Sequence, residues 1–126
     1  MSAVLDSSAV LAIIWNEPGS DMVLDHVDGA VISAVNYAEV LTKIADRGID
    51  GKRANALLAS LAIETIDFDK AQAETSSQLR SQTRHHGLSL GDRACIALAM
   101  TKDWPVLTAD KAWAELKLSV EVQLVR

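Results

Sequence analysis

Five short runs of mostly aliphatic residues punctuate this chain, and between them the apolar spacing switches to a helical period. The runs are Ala3–Asp6, Ala30–Ser33, Ile63–Ile66, Val106–Thr108 and Val120–Leu124. Strand segments alternating with helical ones imply βαβ units and a parallel sheet. Runs this brief and this rich in Val, Ile and Leu suit strands covered on both faces.

The connecting helices have readable limits. The first spans Ser7–Asn16 and stops before Pro18-Gly19. Ser20 caps a second that runs to about Val27. A third covers Ala34–Arg47, with Tyr37, Leu41 and Ile44 on one face and Gly48 just past its end. Asp50 caps a fourth, whose stripe is Ala54, Leu57, Leu58 and Leu61. Phe68–His86 reads as a long, weakly apolar helix ending at Gly87. Leu90–Lys102 is apolar nearly all round, as a buried helix should be. A last helix is expected over Asp110–Leu118.

Composition narrows the class. At 126 residues, 49% of them hydrophobic, the chain suits a single domain over residues 1–126 and is too apolar to stay disordered. Cys95 is the only cysteine, so no internal disulfide forms, which favours a reducing cytoplasm. The first residues carry no basic segment, and Asp6 interrupts their apolar stretch, so they do not read as a secretory signal. The apolar runs Ala9–Trp15 and Ala94–Met100 are far too short to span a bilayer. A formal charge of −5 argues mildly against a nucleic-acid partner, although each bound divalent ion would offset two of those charges. Basic residues gather at Lys43, Arg47, Lys52, Arg53 and at Arg80, Arg84, Arg93, where they form either a phosphate-facing rim or a solvated surface.

Four acids fall where such a fold would collect ligands, outside the carboxyl ends of its strands. Asp6 closes the first run, Asp110 follows the fourth, Asp92 opens the apolar helix, and Glu39 lies on the helix after the second run. Carboxylates brought together repel by roughly 4 kcal/mol per pair at ~4 Å and an effective dielectric of about 20, and a divalent cation relieves this. Each acid has a plainer reading. Asp6 and Asp110 suit helix caps, as does Thr108. Glu39 can pair with Lys43 on a solvated face. Asp92 resists the plain reading most, because its helix face continues through Cys95, Ile96 and Ala99. His85-His86 and His26 lack the companions a zinc site needs. Cys95 reads as inert packing, and Trp15, Trp104 and Trp113 as core or interface. There is no Gly-rich phosphate loop and no nucleophile elbow.

Taken together, four segments resemble the PIN-domain ribonucleases, and closely the VapC toxins of bacterial toxin–antitoxin pairs. They are Val4-Leu5-Asp6-Ser7-Ser8-Ala9, Ile32–Val40 around Asn36 and Glu39, Leu88–Cys95 around Asp92, and Val106–Trp113 around Thr108 and Asp110. Each is weak alone; their order and spacing cover essentially the whole chain. The resemblance implies a three-layer α/β/α sandwich around a mostly parallel sheet of about five strands. It implies an endoribonuclease dependent on Mg²⁺ or Mn²⁺, with Asp6, Glu39, Asp92 and Asp110 as catalytic acids. Asp6, Asp92 and Asp110 would be metal ligands, and Asn36 and Thr108 supporting residues. Transfer RNA is an expected substrate, and the partners are a cognate VapB-type antitoxin and a second copy of the chain. One departure stands out: some wider PIN nucleases carry an acid where this chain has Ala112, so a second tightly held metal is not expected. The rival readings are a PIN-like RNA-processing nuclease outside a toxin pair, and a partner-binding module that cleaves nothing. A phospho-acceptor receiver domain ranks lower, since Ser7-Ser8 follows Asp6 where that fold needs paired acids.

Overall fold

The structure, a computed structural model, describes residues 2–126. Five strands, β1 Val4–Leu5, β2 Val31–Ser33, β3 Glu64–Ile66, β4 Val106–Thr108 and β5 Val122–Leu124, form one parallel sheet in the order β3-β2-β1-β4-β5. Successive strand residues point to opposite faces, and this sorts the sheet into two cores. Leu5, Ile32 and Leu107 enter one, shared with α1 Ser7–Ile14, α2 Ser20–Leu24, α3 Ala34–Asp46 and α4 Gly51–Ser60. Val4, Val31 and Val106 enter the other, shared with α5 Lys70–Thr83 and α6 Leu90–Lys102. The expected three-layer sandwich is therefore the fold. Ala94–Ala99 of α6 are all buried, as its all-round apolarity requires.

From central β1 the chain moves outward one way through β2 and β3, then returns to place β4 and β5 on the other side. The strand order thus reverses between β1 and β4. Connections leave such a point in opposite directions and open a crevice at the strands' carboxyl ends. Asp6 and Thr108 stand at those two ends.

Four local expectations are corrected. Gly19, not Ser20, occupies the cap position of α2, in the left-handed region at φ 96°. A side chain there would strike the Val125 carbonyl, so only glycine lets the carboxyl-terminal strand lie this close. Helix α2 itself stops at Leu24 rather than near Val27. The helix expected over Asp110–Leu118 is a short 3₁₀ turn, Lys111–Glu115, followed by extended chain. Leu116, Leu118, Val120 and Val122 all pack on the second core, a spacing of two that does not fit a helix, and the strand itself begins at Val122. The long helix after β3 ends at Thr83, with Arg84–His86 in a 3₁₀ turn. Among the described residues, no helix is long and apolar enough to cross a membrane.

Candidate active site

Asp6 sits at the cap position of α1, yet its side chain makes no cap hydrogen bond. Its backbone joins the sheet, the N–H donating to Leu107 O at 3.0 Å. Its carboxylate instead faces the switch point, where Ser8 Oγ and Thr108 Oγ1 both donate to Oδ2, at 2.6 and 2.8 Å. The loop after β4 is tied to the same hydroxyls: Ala109 N donates to Ser8 Oγ at 2.9 Å and Asp110 N to Thr108 Oγ1 at 3.1 Å. Thr108 is fully buried and bonds both Asp6 and the loop after β4.

Glu39 is brought in by α3, which Ser33 caps by accepting from Val35 N. The alternative Glu39–Lys43 pair does not form; the ion pair found among the described residues is Arg126–Glu17 at 3.8 Å. Glu39 Oε1 accepts from Ser7 Oγ at 2.6 Å and from Asn36 Nδ2 at 3.0 Å. Asn36, fully buried, also donates to Gly91 O at 3.0 Å, tying α3 to α6. Its Oδ1 is buried with no partner, an acceptor left open among the acids. Ser7 is a residue that sequence reasoning passed over. Ser7→Ala should slow any cleavage by about tenfold, the loss of one hydrogen bond to a charged group. Steady-state kinetics should show that loss in kcat, with RNA KM unchanged.

Asp92 is half-buried in the first turn of α6 and forms a capping box: its carboxylate accepts from Ser89 N, and Ser89 Oγ accepts from Asp92 N. Asp110 is exposed, and its Oδ1 accepts from Ala112 N at 3.0 Å.

The four acids act on one another electrostatically. Burial, reinforced by the charges of Asp92 and Glu39, holds the Asp6 carboxyl above its usual range, against the opposing bonds from Ser8 and Thr108. Burial and the charges of Glu39 and Asp110 raise Asp92 likewise, against its bonds to Ser89. Beneath them Cys95 is buried, and burial together with these charges pushes its thiol well above normal, so it is no nucleophile. All the site's donors are hard oxygens, which suit Mg²⁺ or Mn²⁺ over zinc. Among the described residues, no three His, Cys, Asp or Glu side chains are gathered to hold an ion unaided. Mg²⁺ does not require that; it keeps several waters and takes one or two carboxylates.

The basic residues divide. Helix α3 runs Ala34–Asp46 with Glu39 midway, so its far end lies about 11 Å along the axis from that acid. Arg47 is at that end, 3.6 Å over the Trp15 ring, and Lys52 and Arg53 follow in α4. Arg93 adjoins Asp92 and donates through Nη1 to Ser76 O at 3.2 Å. Trp113 is core, as expected, and Lys102 lies 5.0 Å from the Trp104 ring centroid.

Acids from four separate segments, converging at the switch point of a parallel sheet, mark a family that sequence comparison resolves. The sequence model described as PIN domain matches residues 3–118. The chain belongs to the PIN-domain family. A protein described as Ribonuclease VapC from Mycolicibacterium smegmatis is 32% identical, over 87% of this chain and 92% of that one. Among solved structures, this PIN domain resembles DNA-bound VapBC from Salmonella typhimurium, with a TM-score of 0.79, 17% identity and coverage of 100% and 99% of the two chains. It also resembles VapBC2 from Rickettsia felis bound to a promoter DNA fragment, with a TM-score of 0.77, 16% identity and 98% coverage of each. At these identities the two structures speak for the fold.

Proposed function

We propose that this PIN domain is a metal-dependent endoribonuclease that hydrolyses RNA phosphodiester bonds, and the toxin of a type II toxin–antitoxin pair. One observation carries the reading: a buried carboxylate, Asp6, is fixed through one oxygen, faces like charges and is not used as a helix cap. Such a group calls for a cation. Asp6 and Asp92 are the acids that burial leaves most in need of one, with Asp110 at the exposed rim. When bound, Mg²⁺ or Mn²⁺ supplies Lewis acidity, offsetting phosphate charge and making water a stronger nucleophile. Ser8 and Thr108 keep Asp6 from rotating. Glu39, held through Oε1 by Ser7 and Asn36, has Oε2 to orient the attacking water and accept its proton. Water adds to phosphorus, the bond to the 3′ oxygen breaks, and that oxygen takes up a proton. The products are a 5′-phosphate and a 3′-hydroxyl.

The relative described as a ribonuclease supports the RNA substrate, transfer RNA being one form to test. The VapBC complexes among its structural likenesses support a VapB-type antitoxin, whose peptide would cover the acids, and a homodimer of this chain goes with that reading. The place of action is the cytoplasm. Purified protein incubated with RNA and Mn²⁺ or Mg²⁺ should leave fragments with 5′-phosphate ends, and EDTA should stop the reaction. Undiminished cutting in EDTA would exclude the metal. No cutting with either ion would favour a binding module.

A further inference from the structure

Gly91 is a glycine inside a helix whose backbone does not need one. It is the second residue of α6, and it is not among the residues with positive φ. Glycine there lowers helix stability relative to alanine. The three atoms that a Cβ at this position would meet first all belong to the Glu39 carboxylate, Oε1 at 2.6 Å and the others closer. Gly91 O is also the carbonyl that Asn36 Nδ2 holds while bonding Glu39 Oε1. The Glu39 carboxylate therefore lies against the first turn of α6, in space left by a missing side chain, beside Asp92.

We propose that Gly91 is a positioning residue for the reaction: its absent side chain is the seat that aligns Glu39 with the other acids. It touches neither substrate nor metal and acts through Glu39 alone. This rests on the endoribonuclease reading for its consequence in catalysis, but not for the contact itself. An added methyl would displace the end of a flexible side chain, so the fold should survive while Glu39 moves. A shift of 1 Å in a catalytic group lowers rates by about a hundredfold.

Two backgrounds test it. In the otherwise native protein, Gly91→Ala should reduce kcat at least about tenfold with RNA KM held, and leave Tm flat or slightly lower. In Glu39→Ala, where the seat is empty, the same substitution should raise Tm by about 3–5 °C, the helix preference of alanine over glycine, and should reduce residual cleavage no further. Equal Tm changes in the two backgrounds, or native kcat in Gly91→Ala, would overturn the proposal. If the native protein cuts no RNA, the endoribonuclease reading fails, and the two Tm values still decide whether Gly91 seats Glu39.

Discussion

Asp6→Asn should lower RNA cleavage by about a thousandfold, the upper range for removing one preorganised electrostatic group from a site, while the protein stays folded. Asparagine keeps the acceptor that Ser8 and Thr108 bond, so the hydroxyl network around β1 and β4 survives. What disappears is the charge. Folding raises the pKa of Asp6, so a bound proton favours the native state. That contribution is fully present below the unfolded carboxyl pKa and is lost as pH rises through the folded one. At pH 7–8 without metal, the ionised native protein is therefore penalised and Asp6→Asn should melt higher. The difference should close as the pH falls through the folded pKa. Saturating Mn²⁺, about 100 times its Kd, should stabilise the native protein by about 2.7 kcal/mol and the variant far less. Thermal melts across pH, with and without Mn²⁺, check both signs. A variant that melts lower than native at pH 8 without metal, or keeps the full Mn²⁺ shift, would remove Asp6 from the metal site.

Trp113→Ala should destabilise the protein by about 3–5 kcal/mol, among the largest effects of any single truncation here. Trp113 is fully buried in the second core. A domain of this size has only about 5–15 kcal/mol in total, so the variant should be partly unfolded at 37 °C. Its effect reaches the site as well, because Trp113 anchors the 3₁₀ turn that Asp110 opens. Trp113→Phe should lose much less, since the indole N–H has no partner to forfeit. Urea unfolding followed by circular dichroism measures both. A loss below about 1 kcal/mol for the alanine variant would mean the turn is held by other contacts.

The architecture was legible because most strands are short aliphatic runs and several helices, such as α1 before Pro18-Gly19 and α3 before Gly48, have readable stops. Both signals are local. The acids were legible as positions, at strand ends and helix starts, and the structure does link Asp6, Glu39, Asp92 and Asp110 through their charges. What holds them was not. Ser7 bonds Glu39 across 32 residues and Thr108 bonds Asp6 across 102, and no spacing along the chain encodes such pairs. Gly91 looked like an ordinary member of a motif until Glu39 was seen against it. The stretch through Leu116 and Leu118 was read as helix for a different reason: its alternation was present, but Asp110 as a helix cap argued the other way. The choice between a phosphate-facing rim and a solvated surface for Lys43, Arg47, Lys52 and Arg53 was not legible, because a linear cluster says nothing about which end of the sheet it occupies.

The bond between Asp6 and Thr108 joins one of the first strands to be synthesised to one of the last. A nascent chain still lacking β4 has no hydroxyl from Thr108 to fix Asp6 and no Asp110 to complete the quartet. Until that segment leaves the ribosome, the site at the end of β1 is incomplete. The fold itself thus withholds the assembled site until the fourth strand has been made.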